Sequence, residues 1–217
     1  MRRVFVDRAS PQRDAIEEAA KWIVNGGVVA IPTDTLYGLA ADPFSAAAVA
    51  RVFEVKGRPA DRALPLIAAS ADQVSAQIGP LSPDAARLAA RFWPGPLTLL
   101  VAAPRSLASD VAGGTGKVGV RVPADDVARR ICAAAGRPIT ATSANVSGDA
   151  PTADPSEVER TLGDRIDLLI DTGPAPGGAP STIVDATGTM PLLVRAGALA
   201  WDEIQAWLNT ERNARGR

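Results

Sequence analysis

Residues 28–42 read "VVAIPTDTLYGLAAD". Val28 to Ile31 is an apolar, β-branched run of the kind that forms a buried strand. Directly after it come Thr33, Asp34, Thr35 and Tyr37, while Gly38, which would suit a turn, follows only at the end of the polar cluster. Four polar side chains at the end of a buried strand form either a tightly bonded turn or one wall of a pocket. The remaining polar segments have to decide between these.

Outward from this stretch, short apolar runs alternate with segments of helical period. "VFV" (4–6), "LPLIAAS" (64–70), "PGPLTLLVAA" (94–103) and "VGVRVP" (118–123) read as strands, as do "DLLID", "STIVDAT" and "PLLVRAG" in the last third. "SPQRDAIEEAAKWIVNGG" reads as a helix with Ser10 as cap, Pro11 in the first turn and Gly26 or Gly27 at its end. "SAAAVARVFEV" from Ser45, "SPDAARLAARFW" from Ser82, a helix at about 124–135 and another near 155–162 follow the same rule. "WDEIQAWLN" closes the set, with Trp201 and Trp207 turned to the core. Mixed strands and helices with late strand-to-strand steps predict an α/β fold with a mixed parallel and antiparallel sheet, not a regular βαβ repeat. No repeat or long linker divides the chain. A single domain over 1–209 is expected, with 210–217 as a mobile tail.

Composition narrows the chemistry. The 217 residues contain no histidine and one cysteine, Cys132. Ser-His-Asp and Cys-His nucleophiles, imidazole acid–base catalysis and the usual zinc sites are therefore excluded. A lone cysteine in "VARRICAAAG" reads as a packed, inert thiol and fits a reducing cytoplasm. No apolar run approaches the length of a membrane span, and the N-terminus lacks the apolar core of a secretory signal. The formal net charge of −1 supplies no global attraction to nucleic acid.

Three constellations can carry chemistry. Lys56, Arg58 and Arg62 lie in "VKGRPADRALPL", and Lys117 and Arg121 in "GGTGKVGVRVP". Cations set among Gly and Pro suit a polyphosphate that the backbone must approach closely, or are simply solvated turns. "TATSANVSG" (140–148) is rich in hydroxyl and amide side chains. Ser143 and Asn145 can donate to phosphate or ribose oxygens there, or form an ordinary Ser/Asn turn. Arg195, between "LLV" and "AGA", is costly to bury unpaired and so faces either a ligand or a carboxylate, for which Asp185 is a candidate. Ser181 and Thr182 either line a pocket or terminate the preceding loop. Neither a P-loop nor a Rossmann fingerprint is present, since "GGTGKV" lacks the spacing and the hydroxyl after the lysine.

Seven segments, "PTDTLYGLAAD", "KGRP", "PGPLTLL", "VGVRVP", "TSANVSG", "STIVD" and "VRAG", stand in the order and approximate spacing of the YrdC-like family, which the chain resembles over roughly residues 10–200. The resemblance implies a twisted, open α/β sheet with a concave basic pocket. It also implies synthesis of threonylcarbamoyl-AMP and pyrophosphate from L-threonine, bicarbonate and ATP, with Mg²⁺ accompanying the nucleotide. The product would pass to a transferase complex that modifies tRNA, with contact to tRNA itself an open point. The family's Lys-x-Arg and Ser-x-Asn pairs fall on Lys56, Arg58, Ser143 and Asn145. Its threonine positions fall on Thr35, Arg121, the backbone at Ala141, and Ser181, with Thr33 and Tyr37 shaping that wall. Its nucleotide contacts fall on Arg58, Ser143 and Arg195, and Lys56, Arg62 and Lys117 join this group.

Two departures accompany the match. Arg62 stands where many relatives carry Asn, and Ala69 near a position where they carry a threonine-contacting His. The resemblance also places the chain among the short members, without the extra C-terminal domain of longer ones. A rival reading from another class is an RNA-binding or ribosome-assembly module using the same basic face, against which the few, scattered aromatics count.

Overall fold

A computed structural model of the chain describes residues 1–57 and 62–215, with side chains to 210. Arg58 therefore lies outside the described residues. The chain opens with β1 (Arg2–Phe5), α1 (Arg13–Val24), β2 (Val29–Ile31) and β3 (Gly38–Ala40), then α2 (Ala46–Lys56) and β4 (Leu66–Ile67). Two helices, α3 (Ala71–Gln77) and α4 (Pro83–Phe92), precede the long β5 (Leu97–Ala102), β6 (Lys117–Arg121) and α5 (Asp126–Ala134). The rest comprises β7 (Ile139–Thr140), β8 (Thr142–Ser143), α6 (Pro155–Leu162), β9 (Leu168–Asp171), β10 (Thr182–Asp185), β11 (Leu192–Arg195) and α7 (Trp201–Arg215).

Most helix starts follow the local chemistry. Ser45 and Ser82 accept from Ala48 N and Ala85 N at 3.3 and 3.2 Å, satisfying N–H groups that a first turn leaves open. Pro83 stands in the first turn behind Ser82. Ser10 does not cap α1, contrary to expectation. Its own N–H donates to Asp7 O, and Ala9 N–H to Asp7 Oδ1, so residues 7–10 form a separate turn and the helix begins at Arg13. The α3 helix also escapes a periodicity reading, because Val74 alone is buried on it.

The strands form a mixed α/β arrangement, as expected, but in two sheets. One has the order β1-β9-β2-β3-β8 and the other β11-β10-β5-β6-β4-β7. Both contain parallel pairs (β1 with β9, β10 with β5) and antiparallel ones (β2 with β3, β5 with β6). The chain passes between them at Ala141. Before it, β7 pairs with β4; after it, β8 pairs with β3. Thr140 pins this crossing: its N–H donates to Ala41 O at 3.0 Å, and its buried Oγ1 accepts from Ala41 N and donates to Leu39 O. Ala141 N–H donates to Pro65 O on the other side. A continuous strand would have exposed these groups to one sheet only.

Apolar side chains fill three regions. Leu39, Val52, Phe53, Leu66 and Val120 pack together in the largest. Ile16, Ile23, Ile131 and Ile139 join α1 and α5 to the strands. Leu88, Phe92, Leu99 and Ile204 seat α4 and α7, with Trp207 edge-on to Phe92 at 6.1 Å, so the closing helix does use its tryptophans for packing.

Candidate active site

The crossing at Ala141 leaves a cleft of about 450 Å³ between the β3–β8 edge and the face of β4, β6, β5 and β10. Thr33, Thr35, Tyr37, Arg121, Ala141, Ser143, Ser181 and Arg195, all singled out in the sequence, line it together. They come from distant segments, and the two-sheet topology brings them to one place.

The polar cluster after β2 is both things at once: a bonded turn and a wall. Thr33 is nearly buried, donates to Leu36 O at 2.7 Å and accepts from the N–H groups of Thr35 and Leu36. That closes a hydroxyl-stabilised turn. Thr35 presents its hydroxyl beside it, 3.1 Å from Thr33 Oγ1. Tyr37 is fully buried; its hydroxyl donates to Gly173 O at 2.8 Å and accepts from Thr172 N. Burial pushes this phenol above its ordinary pKa, more than the Thr172 bonds lower it. The tyrosine is a strut between the turn and the segment after β9.

Arg121 ends β6 and Arg195 ends β11. Arg121 Nη1 donates to Asp34 Oδ1 at 2.7 Å, and Asp34 Oδ2 also accepts from Ala124 N. Arg195 Nη2 donates to Ser181 O at 2.8 Å. Burial, and then the positive charge of Arg121, hold the Arg195 guanidinium below its usual pKa. Two guanidiniums thus face one cleft, and among the described residues that line it there is no carboxylate. An anion is the complement such a site lacks.

Asp185 is not the partner of Arg195, which corrects one of the sequence alternatives. Its Oδ2 takes Lys117 Nζ at 2.6 Å. Asp185 lies four residues beyond Ser181 along β10, about 13 Å at strand rise. Lys117 stands at the opposite end of β6 from Arg121. Strand length therefore removes Lys117 from the cleft. Arg62 is exposed, next to Ala63, which does line the wall.

Lys56, at the end of α2, is buried and reaches the Ser-x-Asn segment. Its Nζ donates to Ser143 O at 2.6 Å, Asn145 O at 3.0 Å and Asn145 Oδ1 at 3.2 Å. Ser143 Oγ donates to Asn145 Oδ1 at 2.5 Å, and Asn145 Nδ2 donates to Val146 O and Asp149 O. Of these three residues Ser143 alone lines the cleft. Ala69, near the position of the missing His, donates its N–H to Gln73 Oε1 at 2.9 Å and is not part of the wall.

A polar residue buried in the wall was not singled out in the sequence. Thr98, inside the apolar "LTLL" of β5, is 4% exposed, and its Oγ1 lies 2.8 Å from Ser181 Oγ. A hydroxyl on the inward side of a buried strand was the available signal. Gly197 has no room for a side chain: an added Cβ would lie 2.3 Å from Pro180 O and 2.5 Å from Thr182 N. Its backbone presses on the segment that carries Ser181, and Ala198 N–H donates to Pro180 O.

Among the described residues no cluster of three His, Cys, Asp or Glu side chains could hold a metal ion, and no helix is long and apolar enough to cross a membrane.

Known proteins resemble this chain over most of its length. A family model for the Sua5, YciO and YrdC proteins, described as "Telomere recombination", matches residues 21–197. A threonylcarbamoyl-AMP synthase of Pyrococcus abyssi is 39% identical over 198 residues, covering 89% of this chain and 58% of that protein. A putative threonylcarbamoyl-AMP synthase of Mycobacterium tuberculosis is 34% identical over 207 residues, 94% of this chain and 95% of that protein. The crystal structure of P. abyssi Sua5 complexed with L-threonine superposes with a TM-score of 0.89 at 37% identity, over 95% of this chain and 60% of that one. The chain thus spans less than two thirds of the P. abyssi protein and nearly all of the mycobacterial one. A match over most of its length, at this identity, assigns the family: the chain belongs to the Sua5, YciO and YrdC proteins.

Proposed function

We propose that the chain is a threonylcarbamoyl-AMP synthase, an ATP-using nucleotidyltransferase acting in the cytoplasm. The observation that carries this is the placement of Arg121 and Arg195 beside the hydroxyls of Thr35 and Ser181 in one cleft. Relatives of this family bear the name of that activity, and one has been crystallised with L-threonine.

In this reading threonine occupies the side of Thr35, Arg121, Ala141 and Ser181, and ATP the side of Ser143 and Arg195, with Arg58 and Arg62 from the neighbouring segment. The threonine amine attacks the carbon of bicarbonate, and a C–O bond breaks to release water and leave a carbamate. A carbamate oxygen attacks the α-phosphorus of ATP, and the bond to the β-phosphate oxygen breaks to release pyrophosphate. Negative charge grows on phosphoryl oxygens, so positioned guanidiniums do the work and no protein nucleophile is required. That agrees with a chain lacking histidine and with a thiol at Cys132 sealed in the core. Mg²⁺ enters with the nucleotide, held by phosphate and water, as a part of the substrate. The product serves a downstream transferase that modifies tRNA, where direct contact between this chain and tRNA belongs to the same proposal.

The test is mass-spectrometric detection of threonylcarbamoyl-AMP after incubation with ATP, threonine and bicarbonate, with Lys56→Ala and Arg58→Ala as variants that lose it. ATP turnover that needs neither threonine nor bicarbonate would refute the assignment.

A further inference from the structure

Lys56, Ser143 and Asn145 share a hydrogen-bond network, and its bonds determine what Ser143 can offer a ligand. Asn145 Oδ1 is identified by its neighbours. An ammonium carries only donors, so Lys56 Nζ at 3.2 Å must face the carbonyl oxygen of the amide. The amide nitrogen, on the other side, has two carbonyls to donate to, Val146 O at 3.0 Å and Asp149 O at 2.7 Å. Both hydrogens of Asn145 are thereby engaged. Its oxygen accepts from Lys56 and, at 2.5 Å, from Ser143. An amide oxygen has no hydrogen, so the proton in that short bond belongs to Ser143.

A serine hydroxyl has one hydrogen. With that hydrogen held by Asn145, the Ser143 oxygen meets the cleft with lone pairs only. We infer that Ser143 acts on the bound ligand as a hydrogen-bond acceptor, receiving an N–H or O–H of the amino acid or the nucleoside. It does not donate to a phosphate oxygen, which is itself acceptor-only. Lys56 and Asn145 are positioning residues for this oxygen: Lys56 ties the main-chain carbonyls of Ser143 and Asn145 together at 2.6 and 3.0 Å, and Asn145 sets the hydroxyl's polarity. This reverses the direction that a Ser/Asn-rich loop suggests when read alone, where both residues were candidate donors. Anion binding is left to cationic donors, among them Arg121 and Arg195, which line the same cleft.

The inference rests on the proposed substrates, and binding measurements separate the two. Affinities of L-threonine, adenosine and ATP are measured by calorimetry for the wild type, Ser143→Ala and Ser143→Thr, with thermal melts of each. Loss of one hydrogen bond in Ser143→Ala is expected to weaken threonine, or adenosine together with ATP, by about five- to thirty-fold. Ser143→Thr, which keeps the oxygen, restores most of it. The arm that responds identifies whether the donor is on the amino acid or the nucleoside. Weakening of ATP without weakening of adenosine or threonine would mark a phosphate contact and overturn the inference. So would unchanged affinities in all arms, or a lowered melting temperature as the only effect. A wild-type protein that binds neither threonine nor ATP would refute the proposed activity itself, and this inference with it.

Discussion

Asp34 and Arg121 are 87 positions apart in the chain and 2.7 Å apart in the fold. Asp34 follows β2 in one sheet and Arg121 ends β6 in the other, so the pair spans the gap between sheets. Both side chains are largely shielded from water, at 14% and 10% exposure. Asp34→Ala leaves a shielded guanidinium without its carboxylate and frees Ala124 N–H. The expected loss is about 2–3 kcal/mol of unfolding free energy, read from urea denaturation. Asp34→Asn keeps an acceptor for Ala124 and loses less. A variant as stable as the wild type would show that the pair contributes nothing to joining the sheets.

The positions of the cations along their strands predict opposite outcomes for two substitutions. Arg195→Ala removes a guanidinium from the cleft, and kcat/KM for adenylate formation is expected to fall at least about 100-fold, near the worth of a charged hydrogen bond in a shielded site. Lys117→Ala, at the far end of β6 and engaged with Asp185, is expected to leave kcat/KM within about threefold. Equal losses in the two variants would place Lys117 in the substrate machinery after all.

Gly197 predicts a packing effect with a functional consequence. Its missing side chain lets the backbone after β11 lie against Pro180, Ser181 and Thr182. Gly197→Ala drives a Cβ into main-chain atoms that cannot rotate away, at an expected cost of about 3 kcal/mol. Because the displaced segment carries Ser181 and braces Arg195, threonine affinity should fall as well. Calorimetric binding alongside the melt distinguishes this from a purely global loss.

Asp185 predicts a feature in the acid limb of stability. Burial pushes its carboxyl up, but bonds from Lys117 and Thr187 outweigh that and hold it below the ordinary aspartate value. A group whose folded pKa is depressed adds stability above its unfolded pKa, near 3.9, and loses it as pH falls through the lower folded value. The wild type should therefore lose more stability than Asp185→Asn between about pH 4 and pH 2. Parallel melting curves for the two proteins across that range would remove Asp185 from the account.

Several features of the site belong to the local chain alone. The turn of Thr33 is made with Thr35 and Leu36, within three residues, and Ser45 and Ser82 cap the helices that immediately follow them. Such bonds form wherever the segment goes, so the motifs after β2 and at the helix starts could be read in the sequence. The inventory of hydroxyls and cations, and the exclusion of imidazole chemistry, were equally available from residue types.

Tertiary structure decided which members of that inventory meet. A strand puts its two ends more than ten ångströms apart, so Arg121 enters the cleft and Lys117 does not, although only three residues separate them. The division into two sheets depends on the chain changing partners at Ala141, a consequence of long-range strand pairing that no local pattern encodes. The partner of the Thr98 hydroxyl, Ser181, lies 83 positions away and is set by the pairing of β10 with β5. The polarity of the Ser143 hydroxyl required Lys56, 87 residues earlier, to identify the amide oxygen of Asn145. Residue type determined which groups could bind a ligand; strand register and buried hydrogen bonds, which depend on distant partners, determined which of them face it and whether they donate or accept.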